Sequence, residues 1–571
     1  MVKIYQNNRA HKIPCQQVPT LNMGYQEGIT IGSSVYQEFL RQYESISYSF
    51  QNNAGIFLDN HKISTFSIPT GAGKSRIIYT DILKNIVSSK IFTIASHRLM
   101  LNSQHLKSML TQFELLTGNI GYIFVGSDGF KLKVKNKTRI RLNNLLKNKG
   151  LNYKDIISST TSEKEIIEII KNHAQNNRKV VIISTYHSLN KLKNINIDTI
   201  YCDEAHILAT QDLFTKFKES FLNLTFNKSC FFTATVKDSG DEETNAFLMN
   251  NKGIFGERFE LGFKEAIDLG LIVRPTIHNA IPSNYDKSKK FGSIKNYCRF
   301  IKEVVIAHRK WVKEISFNPD LIAFKLLIKA PAVDAMWKIF NKLKNDKELS
   351  GIKIFAGASR SDIGAKHKFD DNDVDNRYDY LKKIQKLKDT EEAIILHYDI
   401  FSEGIDVPGL TGVMFLSDTL PTKPKILQNI GRGTRIYDLD RYLLRNNQIS
   451  TDDYTKWIKP SCAVILPIIS VDGEYAVNQI SELIKELRDR YGFDASFIVS
   501  EGCDLAKTKN DDGLPNLNKP DRKDASDIIK RINQEIERLD GYDEMSVFSN
   551  KFNICEDDDE LDKLLEEELY N

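Results

Sequence analysis

Two short stretches of this chain combine residue types and spacing that point to chemistry. In "SIPTGAGKSRII", Ser67 to Ile78, small residues, a lysine and a hydroxyl separate two apolar runs. Backbone N–H groups in such a turn form an anion-binding concavity, and a following helix adds partial positive charge at its first turn. Pro69, Thr70, Gly71, Ala72, Gly73, Lys74 and Ser75 are therefore candidates to cradle the phosphates of a nucleotide. Glycines allow close approach, the Lys74 ammonium reaches β- and γ-phosphates, and the Ser75 hydroxyl ligates Mg²⁺. The usual phosphate-loop pattern begins with a glycine where this chain has Ile68. A glycine-rich turn joining a strand to a helix is the plain alternative.

The second stretch is "IDTIYCDEAHIL", an apolar run that ends in two adjacent carboxylates and a histidine. Hydrolysis of a nucleoside triphosphate needs one carboxylate to hold hydrated Mg²⁺ and another group to orient or deprotonate the attacking water. Asp203 and Glu204 suit those two roles. Alternatively, Asp203 caps a following helix and Glu204 complements its dipole.

Both stretches need elements to hold them. "KISTFSIPT", "KIFTIASH", "NIGYIFVG", "KVVIISTY", "IDTIYCDEA" and "KSCFFTATV" are short, rich in β-branched residues and followed by turn or capping residues, which predicts buried strands. Helical patterns lie between them, so the connections are right-handed crossovers and the sheet is parallel. Ligands of such sheets bind at the carboxyl ends of the strands, where both stretches fall. A second series, "LIAFKLLIKAP", "GIKIFAGAS", "EAIILHYDI", "GVMFLSD" and "CAVILPII", predicts another α/β domain. Beyond it, "YAVNQISELIKELRDRYG" and "ASDIIKRINQEIERL" repeat apolar residues at helical spacing.

The 571 residues exceed what one core normally supports. With 41% apolar and 27% charged residues, the composition is that of a soluble globular protein. No apolar run is long enough for a membrane span, and "MVKIYQNNRAHKIP" lacks the apolar centre of a leader. The seven cysteines are scattered without a CxxC pair. A cytoplasmic, reducing location without disulfides or a thiolate zinc site is the expectation. The net charge of +4 is uneven, because "EDDDELDKLLEEELYN", Glu556 to Asn571, carries nine acidic residues and one lysine. That tail stands at −8 and the remainder at +12, a balance that suits a polyanionic partner or serves solubility.

"PTGAGKS" followed by "DEAH" resembles the superfamily 2 helicases and translocases, and further motifs of that family follow in its order. "ASHRLMLNSQ" is similar to motif Ia in the branch of repair helicases, restriction motors and viral helicases. "IISTYHSL" resembles motif Ib, "FTATV" motif III, "LLIKAP" motif IV, "FSEGIDVPGL" motif V and "QNIGRGTR" motif VI. The matched region runs from Tyr36 to Ile469.

The resemblance implies two tandem RecA-like α/β domains, parallel sheets with helices on both faces, that hydrolyse ATP with Mg²⁺ between them. It implies domains at 24–262 and 263–470, after an N-terminal segment at 1–23 and before a helical extension at 471–555 and the acidic tail at 556–571. Lys74, Asp203 and Glu204 would act from the first domain, with Ser75 and Asp203 as metal ligands. From the second, Arg432 and Arg435 would neutralise charge on the transferring phosphate, Gln428 would position water, and Asp406 would approach the ribose or an arginine. Gln37 in "VYQEFL" is the candidate reader of adenine. Arg98, Gln104, Ser184, Thr185 and Tyr398 take the family's nucleic-acid positions, Tyr398 standing where many relatives carry threonine. His206, Thr233, Thr235 and Gly404 would link hydrolysis to movement.

The expected partner is nucleic acid, DNA before RNA, without a membrane. Protein partners would come through the extension or the tail, and the oligomeric state is open. Alternatives are the motor subunit of a restriction or defence complex, an RNA helicase, and a catalytically inert nucleic-acid-binding scaffold. In "FKLKVKNKTRIRLNN", Lys131, Lys133, Lys135, Lys137, Arg139 and Arg141 recur with period two. On a β-ribbon they would line one face and track a phosphate backbone, or else protect an edge strand from pairing.

Overall fold

The computed structural model of the chain describes residues 31–45, 47–126, 140, 142–144, 146–147, 150–209, 219–238, 248–280, 282, 292–358, 383–398, 407–416 and 423–467. The lysine and arginine stripe at 131–141 (apart from Ile140), the segment at 1–23, the extension at 471–555 and the acidic tail lie outside the described residues. The chain divides into two compact units, one of residues 1–69 with 73–261, the other of 70–72 with 262–571.

The first unit is built on β1 (Ile63–Ser67), β2 (Ile91–Ser96), β3 (Ile120–Val125), β4 (Ile157–Thr160), β5 (Lys179–Thr185), β6 (Asn196–Asp203), β7 (Thr225–Thr233) and β8 (Glu257–Glu260). They form one sheet in the order β4-β3-β5-β2-β6-β7-β1-β8, and every pairing is parallel. Right-handed crossovers in such an order place helices on both faces. The helices are α1 (Ser34–Ser45), α2 (Ser49–Asn60), α3 (Lys74–Asn85), α4 (Leu99–Gln112), α5 (Glu163–Gln175) and the short α6 (Lys252–Phe255). The central strands are buried on both faces, which is why "KVVIIST" reads as a continuous apolar run. The edge strands β4 and β8 are "ISST" and "ERFE", short, polar and partly exposed, so their sequences carry no strand signal. Phe66 of β1 stacks on Phe232 of β7 at 4.7 Å, a pair worth about 0.5–1.5 kcal/mol beyond area burial.

Register sets the site. Ser67 pairs with Thr233, Phe232 with Asp203, Cys202 with Ala95 and Ser96 with Thr185. The carboxyl ends of β1, β7, β6, β2 and β5 therefore form one row. The phosphate-loop stretch, "FTATV", the paired carboxylates and the motif Ia and Ib residues all emerge along that edge.

The second unit has a parallel sheet in the order β11-β12-β10-β13-β14-β9. Its strands are β9 (Arg274–Ala280), β10 (Lys325–Lys329), β11 (Lys353–Ala358), β12 (Ala393–Tyr398), β13 (Gly412–Phe415) and β14 (Ser461–Pro467). Its helices are α7 (Phe263–Asp268), α8 (Ile294–Ile315), α9 (Val333–Lys344), α10 (Lys423–Gly433) and α11 (Asp438–Arg445). Ser293 caps α8 by accepting from the Asn296 N–H at 3.1 Å. Tyr297, Ile301, Val304, His308 and Trp311 of α8 then fall on one buried face at helical spacing. β9 runs through "RPTIHNA", where a proline and a histidine hide the strand from a sequence reading; it pairs only with β14, at the sheet's edge. Among the described residues, no helix is long and apolar enough to cross a membrane.

Candidate functional site

The turn after β1 has the backbone that an anion cradle requires. Gly71 and Gly73 stand at φ 93° and 97°, conformations that side chains other than glycine's rarely adopt. Gly73 is the N-cap of α3, so the free N–H groups of the first turn open toward the loop. The Lys74 ammonium donates to the Ile68 carbonyl at 3.1 Å, which folds the lysine back over its own loop. Pro69 and Ala72 are buried, while Thr70 and Ser75 are half-buried.

The glutamine that touches this loop is Gln51. Its Nε2 donates to the Gly73 carbonyl at 3.3 Å, and its Oε1 accepts from the Tyr48 N–H at 3.1 Å. Gln37, the sequence-stretch candidate in "VYQEFL", is exposed on α1. Gln51 sits in the first turn of α2 and is 7% exposed. The signal that could have found it is its position 22 residues before Gly73, a shorter reach than that of Gln37.

Asp203 ends β6 and is 7% exposed. Its Oδ2 lies 3.1 Å from Nε2 of His105, its Oδ1 accepts from the Glu204 N–H at 3.1 Å, and its carbonyl accepts from the Tyr186 hydroxyl at 2.7 Å. Burial pushes its pKa up. The hydrogen bond from His105, the Lys74 ammonium and the Glu204 N–H outweigh that and hold the carboxyl below its ordinary value. Asp203 is thus kept as a carboxylate in a buried position. Glu204 follows in the left-handed region at φ 54°, an uncommon conformation for a side-chain-bearing residue and one that accumulates at functional sites. Its carboxylate lies 3.5 Å from Nδ1 of His206.

His206 and the "FTATV" residues are in direct contact. Nδ1 of His206 is 3.0 Å from the Thr233 hydroxyl, which donates to the Thr235 carbonyl at 2.9 Å and accepts from the Thr235 N–H at 3.0 Å. With the hydroxyl proton committed to Thr235, the His206 Nδ1 is the donor of the pair. The Ile68 N–H in turn donates to the Thr233 carbonyl at 2.9 Å. His206 Nδ1 thus bonds to Thr233 with the Glu204 carboxylate 3.5 Å away, and Thr233 is in turn bonded through its carbonyl to the base of the phosphate loop.

On the same edge, Arg98 is the N-cap residue of α4 and Gln104 lies on that helix's half-buried side. Ser184 and Thr185 are buried, and their hydroxyls bond locally to the Thr185 carbonyl and the Ser188 hydroxyl. Of the motif Ia and Ib residues expected at nucleic acid, Arg98 and Gln104 are thus the more accessible pair. In the second unit, Tyr398 ends β12 and packs half-buried against the core. Asp406 and Gly404 lie outside the described residues, as does the side chain of Gln428, whose backbone is in α10.

Arg432 occupies the last turn of α10 and is 3% exposed; Arg435 follows, half-buried, in a bridge to Ile272. Lys459, absent from any motif, holds this segment. Its buried ammonium donates to the carbonyls of Gly433 and Arg435 at 2.5 and 2.7 Å. Asp440 accepts from the Ile458 and Lys459 N–H groups at 2.8 and 2.9 Å. Burial pushes the Asp440 pKa up to about 6, against the pull of those two N–H groups and of Lys459.

The residues fit a Mg²⁺-nucleotide. A serine hydroxyl and an aspartate offer the hard oxygen ligands that Mg²⁺ prefers, next to a phosphate cradle. Among the described residues, no three His, Cys, Asp or Glu side chains gather as a metal centre.

No family model matches the chain. Over 354 residues it is 23% identical to A859L of African swine fever virus (isolate Pig/Kenya/KEN-50/1950), which carries a helicase name; this covers 60% of the chain and 34% of A859L. Over 200 residues it is 28% identical to IRC3 of Saccharomyces cerevisiae, named as an ATP-dependent helicase, covering 32% of the chain and 27% of IRC3. In sequence the chain is similar to helicases of superfamily 2. The DNA-bound structure of the ATP-dependent Type ISP restriction-modification enzyme LlaBIII superposes on 87% of the chain with a TM-score of 0.54. At 15% identity, and with 33% of that enzyme covered, the likeness concerns the fold, tandem RecA-like α/β domains. The chain spans well under half the length of the relatives it matches.

Proposed function

We propose that this chain is an ATP-hydrolysing nucleic-acid motor, a helicase or translocase that acts on DNA. The observation that carries the reading is the single row of strand ends on which the phosphate loop, Asp203 and Glu204, the Thr233–Thr235 turn and the α4 residues Arg98 and Gln104 stand in register. Lys74 and the α3 N-terminus would hold phosphates, Ser75 and Asp203 would hold Mg²⁺, and Glu204 would take the proton of the attacking water. Bound Mg²⁺ supplies neutralisation of phosphate charge. From the second unit, Arg432 and Arg435 are the candidates to neutralise charge on the transferring phosphate, with Gln428 to position the water; an arginine in that role is worth about 10³–10⁵ in rate. Gln51 braces the loop from outside. The contacts of His206 with Thr233 and Glu204 offer hydrolysis a path into the row of strand ends.

The resemblance of "ASHRLMLNSQ" to motif Ia of the repair-helicase and restriction-motor branch supports DNA over RNA, and a motor within a larger restriction or defence assembly is the second reading. Steady-state ATP hydrolysis by the full chain with single-stranded DNA, duplex DNA or RNA tests the proposal. Turnover should rise with DNA, and Lys74→Ala and Glu204→Gln should each lose at least a hundredfold while still binding the oligonucleotide. Equal turnover in wild type and Lys74→Ala would favour an inert scaffold.

A further inference from the structure

α4 has two faces with different duties. Gln104 and Lys107 lie on its outer side, while Leu101, Asn102, His105, Leu106 and Met109 are buried. The helix is fixed at its start, where the Ser96 hydroxyl at the end of β2 lies 2.7 Å from Asn102 Oδ1 and 3.1 Å from the Arg98 carbonyl. His105 is the neighbour of Gln104 in sequence and points the other way, into the nucleotide side of the unit. It is 4% exposed, and its Nε2 lies 3.1 Å from Oδ2 of Asp203.

The other ring nitrogen is also occupied. The Tyr79 hydroxyl is 2.9 Å from Nδ1 of His105, and the two rings meet edge to face at 5.9 Å. Tyr79 sits on α3 one turn beyond Ser75, and the Ser108 and Ser75 hydroxyls border its phenol. The Asp203 carboxylate can only accept, so the imidazole proton of that 3.1 Å contact is on Nε2, and the Tyr79 hydroxyl donates to Nδ1. One Asp203 oxygen then has His105 as donor and the other has the Glu204 N–H. Each oxygen keeps lone pairs for a hydrated cation, and the carboxylate is held in a single orientation. Outer-shell donors of this kind orient metal-ligating carboxylates.

We propose that His105 is the positioning residue of the Asp203 carboxylate, and that, as the next residue to Gln104 on a rigid helix, it transmits nucleic-acid engagement to the nucleotide site. The proposal rests on the motor reading above and adds to it a connection of its own. Nucleic acid pulling on the outer side of α4 moves the inner side with it, because a packed helix shifts as a body. The path from α4 to the metal carboxylate needs no loop rearrangement.

The test uses the full chain and four proteins: wild type, His105→Leu, His105→Gln and Tyr79→Phe. Glutamine carries its amide nitrogen to about the reach of Nε2 and restores the donor; leucine removes it and keeps bulk. The first readout is Mn²⁺ binding in the presence of ADP, followed by the loss of the free-ion electron paramagnetic resonance signal. His105→Leu should raise the half-saturating Mn²⁺ concentration about 10–100-fold, the usual cost of losing an outer-shell partner. His105→Gln should stay within about threefold of wild type, and Tyr79→Phe should shift in the direction of His105→Leu. The second readout is the DNA-stimulated kcat, which should fall at least tenfold in His105→Leu at a nearly unchanged KM for ATP. His105→Gln should recover it.

A folded His105→Leu with wild-type Mn²⁺ half-saturation overturns the proposal, as does a His105→Gln that fails equally. Should His105→Leu not fold, a folded Tyr79→Phe that matches wild type in both readouts overturns it. If the wild type itself hydrolyses no ATP with DNA, the motor reading fails instead, and the two failures are told apart by that control.

Discussion

Replacing Gly73 by alanine tests the cradle at its tightest point. Gly73 stands at φ 97°, and a Cβ there would lie 2.5 Å from Nε2 of Gln51. Holding alanine in a left-handed conformation costs roughly 1–2 kcal/mol. The obstructing atom is the end of a flexible side chain, so Gln51 can swing aside. In doing so it gives up its 3.3 Å bond to the Gly73 carbonyl, a loss of about 0.5–1.5 kcal/mol. That carbonyl keeps the Arg76 N–H at 3.0 Å and is not orphaned. The sum is about 1.5–3.5 kcal/mol, or roughly 3–14 °C in the melting midpoint of a unit this size. Thermal melts of Gly73→Ala, Gln51→Ala and the double variant would measure it, with a fluorescent ATP analogue reporting the loop itself. The double variant should cost less than the two singles combined, because truncating Gln51 removes both the obstruction and the bond. A Gly73→Ala midpoint within about 2 °C of wild type, or strict additivity in the cycle, would refute this account of the loop.

Gln51 and Gln37 make a paired comparison. Gln51→Ala should raise the KM for ATP about three- to tenfold through the lost brace on Gly73, and Gln37→Ala, exposed on α1, should leave it unchanged; the reverse order would remove Gln51 from the site. For pH, His173 is buried with the Arg178 guanidinium 3.4 Å from its Nδ1, and burial, followed by that charge, pushes its pKa down to about 4. Its folded value lies below its unfolded one, so its contribution is whole above about pH 6.5 and is lost as pH falls through 4. His173→Gln should therefore flatten the decline in melting midpoint over that window, by up to about 3 kcal/mol, and a slope equal to that of wild type would show that the ring titrates normally.

The residues that chemistry requires were legible in the sequence because their spacing is local. A phosphate loop, an adjacent pair of carboxylates and a strand-ending "FTATV" each lie within a few residues, and each follows an apolar run long enough to mark a strand. The central strands were legible for a related reason. Burial on both faces demands unbroken β-branched runs, and "KVVIIST" or "AIILHY" has few other uses.

What the tertiary structure alone decided is every contact that spans sequence. His105 meets Asp203 from 98 residues away, and Lys459 reaches the arginine segment from 24 residues beyond Arg435. Neither residue has a neighbouring pattern to give it away, since a buried histidine or lysine is marked only by what surrounds it. The edge strands β4 and β8 and the proline-containing β9 were hidden for the converse reason. Each is held chiefly by backbone bonds to one neighbouring strand, and those bonds place little demand on side-chain type. Local sequence thus states which groups are needed at a phosphate. Packing across the sheet determines which distant side chains hold them still.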